Sequence, residues 1–430
     1  MASCDASIVP FGATMREQFL FDPKFLNLNH GSFGTYPAAV RTALRHFQDQ
    51  VEARPDPFIR YTTPKELDVS REAVAKLLNV PRSECVFVKN ATTGVNTILH
   101  NLPFKSDDVI IYFETVYGAL EKGIDLVERF LQVVREARSE GLNVKLALFD
   151  VVTSLPAVRF PFEKLTEVCR EEGILSLIDG AHGIGQLPLD LAALQPDFFT
   201  SNCHKWLFVP RSCCVLYVPK RNQHLIRTTI PTSWGFIPSE DSPATAPSVM
   251  KSDDSSKSAF ESLFEFVATN DDTPYFCVPA ALEFRKTVCG GEARIYEYLE
   301  RLANEAADIV AATLGTDVME ERGLQPGEQS NLRRCAMTTI RLPFTFREDF
   351  AASDSSATLL KAEEAVAAVR WFQTTLVEEH GTFVPLVEHG GWLWVRISAQ
   401  VYLKRKDFEW LAEVLKVLCQ RYRSERCQLE

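Results

Sequence analysis

The 430-residue sequence has no Gly-x-Gly-x-x-Gly run, no Cys-x-x-Cys pair and no apolar stretch of 18 residues. Each absence removes a class of reading. Gly180, Gly183 and Gly185 have the wrong spacing for a dinucleotide loop, which argues against a nicotinamide-dependent oxidoreductase. Without a long apolar run no helix is expected to cross a bilayer, and Met1 to Pro10 lack the basic-then-apolar order of a secretory leader. His182 and His204 have no spaced partners of ligand type, so no metal is expected. Basic residues are also short: 46 Lys and Arg against 57 Asp and Glu leave −11 at pH 7, which disfavours nucleic acid or an anionic membrane as a partner.

What is present points to a large globular chain. At 46% hydrophobic and 10% aromatic residues it can bury an ample core, spread over two or three domain-sized units. Its 11 cysteines are odd in number, and Cys85, Cys169, Cys214 and Cys335 sit in apolar runs. They read as buried free thiols of a reducing compartment, and a cytoplasmic location is expected.

Between two apolar runs of residues 197–211 stands a single lysine, Lys205. Burial there disfavours its charged form, and a partly neutral lysine is a nucleophile that forms a Schiff base with an aldehyde. A lysine snorkelling from a strand end is the bland alternative. Upstream, the apolar run 174–178 has strand length and ends in Asp179-Gly-Ala-His182. An acid at a strand's carboxyl end points into a cleft, although a helix N-cap uses the same residue type. Asp179 precedes Lys205 by about one crossover unit, so the two can converge above neighbouring strand ends. Pyridoxal phosphate requires such a pair: an amine for its aldehyde and a carboxylate that keeps its ring nitrogen protonated.

Five motifs in order, Asn29-His30-Gly31-Ser32-Phe33-Gly34, Asn90-Ala-Thr-Thr-Gly94, Asp179-Gly-Ala-His182, Ser201-Asn-Cys-His-Lys205-Trp206 and Arg396-Ile-Ser398, resemble class-V aminotransferase-fold enzymes. The resemblance is nearest the branch that holds isopenicillin N epimerase, the fungal ergothioneine-pathway carbon–sulfur lyase (hercynylcysteine sulfoxide lyase) and the loline-pathway cyclase, and it spans about Phe19 to Leu418. It implies an α/β chain of the pyridoxal-phosphate fold type I, aspartate aminotransferase-like. A large, mostly parallel-sheet domain is expected over residues 20–285, and a smaller α+β domain over residues 1–19 and 286–430. It also implies a homodimer with a shared active site, acting on a small amino-acid substrate, with Lys205 and Asp179 catalytic.

The remaining site expectations follow the chain. Asn29 and His30, expected to bind substrate, lie in a turn near the cleft, ahead of a helix marked by Val40, Leu44, Phe47 and Val51. The proline-rich stretch 53–61 reads as a loop whose Arg60 meets either an acidic substrate or solvent. A capping pattern, Thr63-x-x-Glu66, opens the next helix. Thr92 and Thr93 begin another helix, where unpaired amides suit a phosphate, or else they serve only as caps. Ser154 ends a strand at cleft level, within reach of the cofactor's phenolic oxygen. The resemblance places Tyr117 on the cofactor ring, His182 flanking it and His204 near the phosphate. Ser201 belongs to the same cofactor-binding set, and Thr269 reaches the phosphate across a dimer interface. Arg396 stands between apolar neighbours and needs a partner. A substrate carboxylate gives it a bidentate match, and a structural ion pair is the alternative.

Two departures from the resemblance stand out. Between Tyr117 and the strand at 144–152 there is room for one long helix, about 120–139, where the family has a helix, a strand and another helix, so one strand of the large sheet is expected to be missing. Ala268 also replaces the glycine that usually precedes the phosphate-reaching threonine. Residues 239–257 read as a surface loop, and the strand at 213–218 as antiparallel or at an edge. The expected activity is carbon–sulfur cleavage of a cysteine-derived substrate by a pyridoxal-phosphate lyase. The alternatives are decarboxylative ring closure or epimerisation in secondary metabolism and, from another class, a catalytically inactive binding or scaffold homologue.

Overall fold

Strands of two to nine residues build two sheets. The computed structural model describes residues 8–113, 126–232, 236, 257–321, 323–325 and 327–427. Among these, Cys85–Val88 (β1), Asp108–Tyr112 (β2), Asn143–Asp150 (β3), Leu175–Asp179 (β4), Phe198–Ser201 (β5) and Cys214–Tyr217 (β6) form one sheet in the order β1-β6-β5-β4-β3-β2. β2, β3, β4 and β5 run parallel, while β6 is antiparallel to both β5 and β1. β1, β5 and β6 are buried at every residue, as befits strands covered on both faces, which is why they lack polar alternation. The helix Phe162–Glu171 returns β3 to β4 and turns Phe162, Leu165, Val168 and Cys169 inward at helical spacing.

The second, smaller sheet joins Met337–Thr345 (β7), Thr358–Leu359 (β8), Leu386–His389 (β9) and Trp392–Ser398 (β10) in the order β8-β7-β10-β9. The helix Glu292–Leu314 packs on β7 and on the helix Arg405–Cys427, burying Ile295, Leu299, Leu302, Ala306 and Val310. No described helix is long and apolar enough to cross a membrane.

Several expectations are corrected. Residues 53–61 are not a loop: Pro55–Pro57 and the π-helical turn Phe58–Thr62 lead straight into the helix Thr63–Leu78. Proline at the first helical position gives up only an N–H that has no partner there. The Thr63 capping pattern is accordingly unused, since the helix continues from the π turn with no side-chain cap. β6 is antiparallel but lies inside the sheet, between β1 and β5. The helix Arg405–Cys427 went unanticipated.

The shortened stretch falls at the sheet's rim. β2 pairs only with β3 among the described residues, and the helix Leu126–Ser139 covers that side with Leu126, Phe130 and Val134. Tyr117, the start of the helix expected at 120–139, and most of the loop expected at 239–257 lie outside the described residues. The segment expected to lack a strand follows β2, on which Ile110 and Tyr112 are 37% and 69% exposed. Ile110→Lys should therefore change stability by less than about 0.5 kcal/mol and reduce light scattering on concentration. Phe130→Ala, which empties the layer beneath, should cost about 3–5 kcal/mol in urea melts. Comparable losses from the two would show that the rim is covered in solution.

Candidate active site

The carboxyl ends of β3, β4 and β5 place Asp150, Asp179 and Ser201 at one level, with Asp150 in register with Asp179 and Asp179 with Thr200. Just beyond them, the helical turn Cys203–Trp206 carries Lys205. The Ser201 hydroxyl donates to the Gly180 carbonyl and accepts from the Ile184 amide at 2.9 Å, closing the turn that holds His182.

Lys205 Nζ lies 2.9 Å from His182 Nε2, and the Trp206 indole N–H donates to His182 Nδ1 at 3.2 Å. Burial, then the Arg396 charge, lowers Lys205 to about 8 against the opposing pull of Asp179, Cys214 and Asp150. Neutral amine is therefore available near physiological pH. Burial, reinforced by Lys205 and Arg396, keeps His182 well below the usual imidazole range and hence neutral.

Beneath the lysine lies the Asn29–Gly34 motif. His30 Nε2 is 2.6 Å from the Lys205 carbonyl and its Nδ1 3.0 Å from the Tyr402 hydroxyl, which also accepts from Asn27 Nδ2 at 2.9 Å. Both ring nitrogens of this fully buried histidine are thus engaged, and its expected substrate contact is replaced by a bracing role. Gly34 has φ +62°, and a Cβ there would stand 1.9 Å from the His204 carbonyl oxygen and 2.8 Å from Lys205 Cα. Arg285 secures the far side, donating to the carbonyls of Trp206 (2.8 Å) and Gly185 (3.0 Å) while paired with Glu292.

Arg396 is as buried as Arg285 but has no carboxylate partner among the described residues. Its Nη1 donates to the Ser154 carbonyl (2.9 Å) and hydroxyl (3.2 Å), and its Nη2 to Asn29 Oδ1 (2.5 Å) and Ser32 Oγ (2.8 Å). Its Nε is buried with no acceptor. Burial lowers it to about 10. A buried guanidinium held only by neutral groups is destabilising unless an anion joins it. Ser154, expected at a phenolic oxygen, serves this arginine instead, and Ser32 enters the site unanticipated.

Two acids complete the floor. Asp179 Oδ1 accepts from the Ala181 amide at 2.8 Å, and burial raises its proton affinity. Asp150 was missed because the expected strand ran on through Val152. Its signal was a place at a strand's carboxyl end, like that of Asp179. Burial and then Asp179 push it up to about 7.

At the start of the helix Ala91–Asn101, the amides of Ala91, Thr93 and Gly94 are taken by Asn202 Oδ1, Asn90 Oδ1 and the Asn90 carbonyl. The Thr93 hydroxyl also donates to Asn90 Oδ1, while Thr92 is exposed. Thr93 and Thr269 line one cavity with Lys89, Thr229 and Asn270. His204 is held by Cys213, with Nδ1 2.8 Å from its carbonyl. Arg60 is not drawn into this group: it is exposed and pairs with Asp56 at 3.3 Å. A lysine of lowered proton affinity, two acids of raised proton affinity and a cavity lined by Lys89, Thr93 and Thr269 suit pyridoxal phosphate, whose aldehyde, ring nitrogen and phosphate each need one of these. No group of three or more metal-ligating side chains occurs among the described residues.

The sequence profile of the Aminotransferase class-V family matches residues 36–233. The L-cysteine desulfhydrase-like protein lolT1 of Epichloe uncinata is 42% identical over 96% of this chain and 96% of its own length. Hercynylcysteine sulfoxide lyase of Schizosaccharomyces pombe is 28% identical over 95% of this chain and 98% of its own. Among solved structures, a C-DES mutant with glycine covalently linked to the PLP cofactor superposes with TM-score 0.67 at 16% identity, over 93% of this chain and 98% of that one.

Because the His30–Gly34 turn packs on the lysine's own backbone, Gly34→Ala should both destabilise the fold by about 1–3 kcal/mol and slow labelling of Lys205 by an aldehyde. Gly141→Ala, at φ +80° with open space around it, should cost only the local strain and leave labelling unchanged. Equal labelling in the two variants would separate the turn from the lysine.

Proposed function

This chain belongs to the class-V aminotransferase family, and from that premise we propose that it is a pyridoxal-phosphate-dependent lyase that cleaves the carbon–sulfur bond of a cysteine-derived amino acid. The observation that carries the reading is Arg396: a buried guanidinium without a counter-ion, on the same cleft as a lysine with lowered proton affinity. An α-amino acid brings the carboxylate that the arginine lacks.

Pyridoxal phosphate, when bound, supplies an aldehyde for amines and a ring that draws electrons from the substrate's α-carbon. Lys205 Nζ would hold the aldehyde at rest and, once released, take the α-proton. Asp179 would hold the ring nitrogen's proton, its own proton affinity raised by burial, while Asp150 beside it is raised by burial and by Asp179. Arg396 would orient the α-carboxylate, exchanging its neutral partners Asn29, Ser32 and Ser154 for two charged oxygens. The Thr92 and Thr93 end of the helix Ala91–Asn101, with His204, would receive the phosphate.

Elimination that frees the sulfur product is favoured over transfer of sulfur to a protein thiol. Nine cysteines have described side chains and all are buried, and burial pushes Cys169, Cys277, Cys289, Cys335 and Cys419 up to about 12, so these five offer no ready thiolate. The same buried free thiols support a reducing compartment such as the cytoplasm. The exposed Thr269 supports a homodimer in which it completes the partner subunit's phosphate site.

Two measurements test this. With cofactor present, the full-length protein should be yellow, Lys205→Ala should abolish that absorbance, and Asp179→Asn should keep some cofactor but lose most turnover. A colourless wild-type protein at saturating cofactor sinks the proposal. Cysteine-derived substrates should yield pyruvate and a sulfur product, and Arg396→Ala should lower kcat/KM by about a hundredfold or more by loss of orientation. Carbon dioxide from a carboxyl-labelled substrate, with no sulfur product, would favour the decarboxylative reading instead.

A further inference from the structure

Trp206 follows Lys205 directly and is fully buried. Its indole nitrogen can only donate, so His182 Nδ1, 3.2 Å away, must present a lone pair. A neutral imidazole with a bare Nδ1 carries its proton on Nε2. That Nε2–H faces Lys205 Nζ at 2.9 Å and finds an acceptor only if the amine is uncharged. An ammonium has three donors and no lone pair, and would set N–H against N–H across this contact. For His182 to accept from an ammonium, its proton would have to move to Nδ1, against the indole N–H.

We propose that the Trp206 N–H fixes the tautomer of His182 and through it holds Lys205 as a free amine, making Trp206 a positioning residue for the lysine's proton state. The indole cannot turn away. Its ring lies 5.2 Å from that of His30, a Cβ on Gly31 would come within 3.3 Å of its Cζ2, and Arg285 holds its carbonyl. His182 is fixed through its own carbonyl by Gln186 Nε2 at 2.6 Å. The charges around Lys205 leave the outcome divided. Asp179 and Asp150 at the ends of β4 and β3, with Cys214 on β6, favour the ammonium, whereas Arg396 on β10 opposes it. Beneath, His30 is neutral, held by burial at about 3. The hydrogen-bond chain adds a directional preference that these opposing charges do not supply.

The inference rests on Lys205 being the aldehyde-binding lysine, and the test separates the two. Full-length protein freed of cofactor is mixed with pyridoxal phosphate, and the rate of capture is followed by absorbance from about pH 6 to about pH 10. Wild-type capture should rise through an inflection near 8, where the lysine loses its proton. In Trp206→Phe the inflection should move up by about one unit, the size expected for one hydrogen bond. Capture would then be about five- to tenfold slower near neutrality and equal at the alkaline end. Nitrogen-15 NMR of the cofactor-free protein should show His182 as the Nε2–H tautomer in the wild type and a shift toward Nδ1–H in the variant. If Trp206→Phe does not fold, Trp206→benzothienylalanine keeps the ring's shape without the N–H. Normal wild-type capture with an unmoved inflection in a folded variant, or a wild-type Nδ1–H tautomer, overturns the inference alone. Failure of wild-type capture at every pH overturns the role of Lys205 and the inference with it.

Discussion

Two basic side chains, Lys205 and Arg396, share one largely buried region, and the organisation of the site follows from that constraint. Lys205 and Arg396 repel each other across a region where burial already penalises charge. Arginine stays protonated far above the range in which a lysine yields, so the lysine is the group that gives up its proton. Among the described residues the guanidinium has no counter-ion; its strand belongs to one sheet and its acceptor Ser154 follows a strand of the other. The two sheets thus meet around a positive charge held by neutral oxygens.

Much of this could be read in the sequence because strand ends and crossover lengths are local properties. Asp179 at the end of an apolar run and Lys205 about one crossover later had to converge above a parallel sheet, and Arg396 between Val395 and Ile397 had to be buried. What escaped was the direction of short polar side chains. His30 and Ser201 look the same in sequence whether they face a ligand or brace a turn. The deciding contacts come from far away: the Tyr402 hydroxyl under His30, and the Ile184 amide over Ser201. Asp150 escaped for a different reason, since nothing local marks where a strand stops when valines continue the apolar run. The segment 53–61 misled because proline was read as a breaker at a position where its missing N–H costs nothing.

The rim of the large sheet and its candidate site are set by different strand pairs. The candidate site residues follow β3, β4 and β5, and β2 stands beyond them at the edge among the described residues. Ile110 and Tyr112 are exposed on β2, while the register of Asp150 with Asp179 is set by the pairing of β3 with β4. Stability at the rim and geometry at the site are therefore separable.

The two buried arginines explain why one can bind and the other cannot. Arg285 is paired with Glu292, whose side chain is partly exposed, so a ligand carboxylate arriving there would have to displace a carboxylate already in place and would gain no new charge pairing. Arg396 is held by an amide oxygen, two hydroxyls and a carbonyl. Each of these can lose its bond to the guanidinium and turn to another donor or to water without stranding a charge. Exchange at Arg396 thus replaces neutral acceptors by charged ones at small cost to the displaced groups. It also neutralises the cation that helps to lower the proton affinity of Lys205. In the proposed reading, binding a carboxylate at Arg396 would make the lysine more basic just when it is to remove an α-proton, which would couple recognition of the substrate to the strength of the base.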